Sequence, residues 1–229
     1  MKKLYAFMAL ILCLGVFGCF LGGSTCFAEE KIVVYGEGEI KFIPDLAIVT
    51  VGVESLNENL LEAQRQNSEA INAVIQTLLG FDVMKDQIKT KNFNVYQKFD
   101  YSDTTEKIVG YQVSNYIEFK TKAVDNISQI ISKLMENGAN RFSGVSFTLE
   151  NYSNAYNSAL KLALENAKSK AKALCDDELE LVEIVEQNYS NSFMNDAYVY
   201  AKVANENMAI MKGEIVVKAT IKAMFEFDD

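Results

Sequence analysis

Of 229 residues, 49% are apolar and 23% charged, which excludes a disordered polar polymer and allows one large domain, or two small ones, with a real core. The formal net charge of −9 argues against nucleic acid and anionic membrane surfaces as partners. Histidine is missing altogether, which removes the commonest general base, every Ser-His or Cys-His nucleophile pair and the usual zinc ligand.

The first 28 residues read as a secretory signal. Lys2 and Lys3 supply the positive start, Leu4 to Leu21 form an apolar run without charge, and Gly22, Gly23, Ser24 and Thr25 turn small and polar. Cys26 and Ala28 hold the small-residue positions of a cleavage point before Glu29. Two alternatives stand beside it. One is a lipoprotein acylated at Cys19, against which Phe17 is bulky for the lipidation motif; the other is an uncleaved anchor. Cleavage would take the net charge from −9 to −11 and leave Cys175 as the one cysteine, so no intramolecular disulfide is expected. Cys175 follows Ala171 by four on a predicted helix and is expected to be buried and inert.

Residues 29–229 are expected to form the domain. Ile32 to Tyr35 is a short apolar run, Gly36-Glu37-Gly38 reads as a turn, and Ala47, Val49, Val51 and Val53 alternate as a second strand after Pro44-Asp45. An amphipathic helix is predicted from Leu56 to Leu79, with Leu60, Ala63, Asn67, Ala70, Ile71, Val74, Ile75 and Leu78 on its stripe and Gly80 as a left-handed stop. Strands over Ile88 to Phe99 and Val109 to Phe119 should pair as an antiparallel hairpin. A second helix carries Ile127, Ile130, Ile131 and Leu134, with Asp125 as its N-cap and Gly138 at its end.

Val145 to Leu149 is a short strand. Ser153 to Leu174 is a third helix whose stripe, Ala159, Ala163, Ala167 and Ala171 among them, is small enough to allow close approach. Leu179 to Tyr189 is a further strand, and Ser190 to Asn207, rich in asparagine, has no clear secondary structure. In the last strand Ile215, Val217, Ala219, Ile221, Ala223, Phe225 and Phe227 point one way and Glu214, Lys218, Thr220, Lys222 and Glu226 the other. The fold class is α+β: mainly antiparallel sheets covered on one face by three helices, with strand, helix and hairpin units repeated.

Chemistry-bearing patterns are sparse. Gly36-Glu37-Gly38 lacks the third glycine and following helix of a dinucleotide site. Glu54, Glu58 and Glu62 recur every four residues, which fits a solvated helix face better than a shared metal. Asp176-Asp177-Glu178 lacks the spaced oxygens of a calcium loop, and Lys168, Lys170 and Lys172 read as the outer face of the third helix. No catalytic, cofactor-binding or metal-ligating residue is assigned, and no cofactor is expected.

Val34-Tyr35-Gly36-Glu37-Gly38, Ile43-Pro44-Asp45, Val51-Gly52-Val53, Gln87-Ile88-Lys89-Thr90, Gly110-Tyr111-Gln112-Val113-Ser114-Asn115, Gly138-Ala139-Asn140 and Val145-Ser146-Phe147 together resemble the SIMPL-domain family. Ala159 to Ala173 is similar to that family's alanine-rich helix, and Lys212-Gly213-Glu214-Ile215 to its Pro-Gly-Glu-Ile approach to the final strand. Lys212 in place of proline, and Cys175-Asp176-Asp177-Glu178-Leu179 in place of a glycine-leucine-glycine turn, are departures. The resemblance implies an exported bacterial protein, periplasmic or on the envelope, of the kind called immunogenic or oxidative-stress-related, with an α+β fold and ring-like or channel-like homo-oligomers.

The function expected is an extracytoplasmic, self-assembling scaffold or binding protein without catalytic activity. A small-molecule or metal-binding receptor and a carboxylate-only enzyme are the alternatives. Val216, Met224 and Tyr116 on outward strand positions, with Tyr189, Phe193, Tyr198 and Tyr200 among asparagines, point to a covered surface in a homo-oligomer.

Overall fold

A computed structural model describes residues 31–100, 107–175, 177–187 and 210–227. The signal sequence and the 190–207 segment with its tyrosines lie outside the described residues. The elements in chain order are β1 (Lys31–Phe42), β2 (Leu46–Asn57), α1 (Leu60–Gly80), β3 (Ile88–Asp100), β4 (Lys107–Thr121), α2 (Ile127–Glu136), β5 (Arg141–Thr148), α3 (Tyr152–Leu174), β6 (Leu179–Gln187) and β7 (Ile215–Phe227).

They make two antiparallel sheets, one ordered β3-β4-β2-β5 and the other β1-β7-β6. The first is contiguous in sequence: β2-α1-β3-β4-α2-β5, a split βαββαβ unit of ferredoxin-like topology. It interrupts the second, whose strands come from both sides of it. The α+β class therefore stands, and the expected hairpin is β3 with β4, Val95 facing Val113.

Around the four-stranded sheet, alternation in β2 sends Ala47, Val49, Val51 and Val53 to one side, where they meet Ile71, Val74 and Leu78 of α1 and Ile127, Ile130, Ile131 and Leu134 of α2. Helix α1 begins later than its apolar spacing suggests, because Leu56 and Asn57 still pair in β2 with Gln112 and Tyr111. Asn59 caps it, accepting from the Leu61 and Glu62 amides at 2.9 and 3.3 Å. The left-handed residue after it is Asp82, φ 59°, not Gly80. Asp125 is likewise not the cap of α2; it sits in a 3-10 turn, Val124–Asn126, and pairs with Lys212 at 2.5 Å. Gly138 does end α2, at φ 111°.

On the three-stranded sheet the structure overturns a sequence reading. Gly36 and Gly38 do not turn the chain but lie inside β1, paired with Ile221 and Ala219. A Cβ added to Gly36 would stand 2.0 Å from the Ala163 carbonyl oxygen, and one on Gly38 2.0 Å from that of Ala159. The two glycines are gaps into which the backbone of α3 settles, with Ala155, Ala159, Ala163, Ala167 and Ala171 all buried. The alanine stripe and the glycines are two sides of one close contact, completed by Val217, Ile221, Ala223 and Phe225 of β7.

Candidate functional site

The faces of the sheets turned away from the helices carry the polar chemistry. On the four-stranded sheet, the alternation that buries Val51 and Val53 puts Gly52 and Glu54 outward, and register sets Tyr116 opposite Gly52 and Ser114 opposite Glu54. A Cβ on Gly52 would come 2.6 Å from Cδ1 of Tyr116, so the ring lies down over the glycine and its hydroxyl reaches the Glu54 carboxylate at 3.2 Å.

After Gly138 ends α2, Asn140 extends the ladder. Its amide N–H donates to the Gly52 carbonyl at 3.0 Å. Its side chain brackets the Glu54 peptide, accepting from the amide at 2.8 Å and donating to the carbonyl at 2.7 Å. This delivers Arg141 to Glu54, with Nε at 2.6 Å and a terminal nitrogen at 2.5 Å from Oε2, while Ser114 donates to Oε1 at 3.3 Å. Burial pushes the Glu54 carboxyl up, but the hydrogen bonds from Arg141, Tyr116 and Ser114 and the guanidinium charge outweigh it and hold the group below its ordinary 4.5. Burial and the neighbouring carboxylate raise the Tyr116 phenol.

Next along β4, buried Glu118 receives Lys89 at 2.8 Å and Lys91 at 2.5 Å from β3. Lys91 is the extra residue of a bulge between Thr90 and Asn92. Burial raises the Glu118 carboxyl and the two lysines, by hydrogen bond and charge, bring it below the ordinary value. Glu54 accepts two contacts on each carboxylate oxygen, from Ser114 and Tyr116 on Oε1 and from the Arg141 guanidinium on Oε2, whereas Glu118 accepts one on each, from Lys89 and Lys91. What the cluster does physically is tie β3, β4, β2 and β5 together across the sheet.

Glu54, Glu58 and Glu62 do not share a helix face. Glu54 is on β2, Glu58 precedes the cap of α1, and Glu62 in its first turn binds Arg65 at 2.6 Å. Cys175 is not buried either: α3 ends at Leu174, so the thiol leaves the apolar stripe and sits half-exposed, donating to Asp177 at 3.5 Å. Lys168 and Lys172 line an open cleft of about 800 Å³ floored by Leu179, Leu181 and Phe225, and Lys170 donates to the Tyr35 carbonyl at 2.8 Å. Among the described residues, no three acidic or cysteine side chains converge as metal ligands, and no helix is long and apolar enough to cross a membrane.

Sequence reasoning missed Tyr116 and Arg141 as partners of Glu54. Each directly follows a short motif, Ser114-Asn115 and Gly138-Ala139-Asn140, and period-two alternation places Gly52 with Glu54 and Ser114 with Tyr116. Only strand register, which one sequence does not carry, joins them.

An insertion of a split βαββαβ unit into a glycine-grooved, alanine-packed sheet defines a class of α+β protein. Residues 32–225 match SIMPL, described as a protein of unknown function (DUF541), and the chain belongs to that family. It is 28% identical over 151 residues to a 26 kDa periplasmic immunogenic protein of Brucella melitensis, 64% of this chain and 60% of that one. It is 22% identical over 169 residues to the uncharacterized protein YggE of Escherichia coli K12, 74% of this chain and 69% of that one. The chain thus spans about 60% of the length of the Brucella relative.

Proposed function

We propose that the protein is exported and acts in the cell envelope as a self-assembling scaffold or binding protein, without turning over a substrate. Export is supported by the three-part pattern of residues 1–28 and by the word periplasmic in the Brucella relative's name. The observation that carries assembly is the apolar surface left on both sheets. Val33 and Tyr35 lie exposed opposite the α3 side of β1, and Phe93, Val95, Tyr96, Ile108 and Val109 lie exposed along the β3–β4 hairpin. Val216 and Met224 on β7 are half-buried and face the same way as Val33. A role in stress defence rests on the family resemblance.

Light scattering on the purified mature chain tests the reading. A mass several times that of one chain at micromolar concentration is expected, and a single-chain mass there would refute it. The cleft floored by Leu179, Leu181 and Phe225 favours a second reading, a small-molecule receptor, for which a saturable thermal shift with an amphipathic ligand is the measurement.

A further inference from the structure

Four strands end the two sheets, β3 and β5 on one and β1 and β6 on the other, and they differ in how they are finished. β1 and β5 each keep one buried face, and β1 carries both signs of charge, with Lys31 on Glu226, Glu39 on Lys218 and Lys41 on Glu214. β5 is 8 residues long, and its single charge, Arg141, is bound to Glu54.

β3 and β6 are of another kind. Neither buries a residue. β3 exposes Phe93, Val95 and Tyr96, and β6 exposes Val182, Ile184 and Val185. Their charges are opposite. β3 carries Lys89 and Lys91, which share the single carboxylate of Glu118 on β4 and so keep an excess of positive charge, and Lys98 against Asp100, whereas β6 carries Glu180, Glu183 and Glu186 and no basic residue. Each presents an outer row of backbone N–H and C=O groups that no described strand pairs, the arrangement that accepts an added strand.

We infer that the basic edge β3 of one copy adds to the acidic edge β6 of a second copy, so that the two sheets continue across the contact. Charge decides the partner: β3 against β3 sets lysines on lysines, and β6 against β6 sets glutamates on glutamates, while β3 against β6 offsets both and brings Phe93, Val95 and Tyr96 toward Val182, Ile184 and Val185. The contact is heterologous, because the two surfaces are different and each copy keeps one of each free. Such contacts propagate until they close in a ring or run on as a filament. This inference rests on the self-assembly reading and names its surface.

The test is a charge swap read by size-exclusion chromatography with light scattering at low salt. One variant combines Glu180→Lys and Glu183→Lys, leaving Glu186 on the Tyr156 hydroxyl. The other combines Gln97→Glu and Lys98→Glu, leaving Lys89 and Lys91 on Glu118. Each alone sets like charges across the contact and should run as a monomer with unchanged far-UV circular dichroism. Mixed in equal amounts, the two should recover the wild-type mass, since each then supplies the edge the other lacks. Wild-type mass retained by either variant alone, or a mixture of folded variants that stays monomeric, overturns the edge pairing while self-assembly stands. A monomeric wild type removes both. If a reversed variant does not fold, Glu180→Gln with Glu183→Gln decides: a dissociation constant raised about tenfold or more supports the contact, and an unchanged one overturns it.

Discussion

Glu54 shows how much order one side chain can impose when its register neighbours are chosen to meet it. Its carboxylate is held by Arg141 from β5 and by Ser114 and Tyr116 from β4, and its peptide by Asn140. Because the folded group is held below its ordinary 4.5, the stability it brings is fully present above that value and lost as pH falls through the folded one. Glu54→Gln should therefore be less stable than wild type at pH 7 by about 1–2 kcal/mol, the scale of hydrogen bonds to a charged group with one exposed partner. The gap should narrow as pH falls through the folded value, below which the wild-type carboxylate is itself protonated. Urea unfolding of both proteins at pH 7, 5 and 3 measures it; a gap independent of pH would show that shape rather than charge is lost. Glu118 adds a limb of the same sign, so the acid dependence should flatten without vanishing. At this scale, chemistry is legible only where it is local. Asn67 falls on the apolar stripe of α1 by spacing alone, but its task, donating to the Val53 and Val113 carbonyls at 2.9 and 3.0 Å, belongs to two strands, one just before the helix and one well after it.

Elements are legible where one period runs unbroken. In β7 the alternate residues from Val217 to Phe225 are all buried, as their spacing predicts; α2 buries the stripe that three-and-four spacing assigns it, and α1 buries Ala63, Asn67, Ile71, Val74 and Leu78 of its stripe while Leu60, Ala70 and Ile75 stay partly exposed. β1 misleads because Gly-x-Gly ordinarily punctuates a chain, and the reason for these glycines lies on α3, more than a hundred residues on. Alanine on one element and glycine on the other remove the side-chain layer between them, so the carbonyls of Ala159 and Ala163 lie against the β1 backbone. Gly38→Ala cannot be absorbed by a side-chain rotation, since the obstruction is backbone. It should destabilise the protein by about 3 kcal/mol, the upper part of the range for overpacking a tight contact. Thermal and urea unfolding check this, with Gly213→Ala as control because nothing lies within 4 Å of its added carbon.

At the scale of the whole molecule, the chain builds one contiguous unit inside a discontinuous one, and the two do not share a core. The cluster around Val49, Phe119 and Ile130 draws on β2, β4, β5, α1 and α2, while those around Ala163 and Val217 draw on β1, β7 and α3. Short links join them: Asp45 donates its amide to the Thr148 carbonyl at 3.3 Å and accepts from the Glu150 amide at 2.7 Å, and Ile210 packs on the first cluster while Lys212 reaches Asp125. Stability should then be divided, because a fluctuation that frees α3 from its sheet exposes none of the apolar side chains between β2 and the first two helices. The glycine groove offers the means to see it. In native-state hydrogen exchange, Gly38→Ala should speed exchange of the protected amides of β1, β7 and α3. By an opening free energy lowered about 3 kcal/mol, that is on the order of a hundredfold or more, whereas β2, β4, α1 and α2 should change by less than about threefold. Equal acceleration in all seven elements would mean that the two cores open only together, and the insertion would then be a matter of chain order alone.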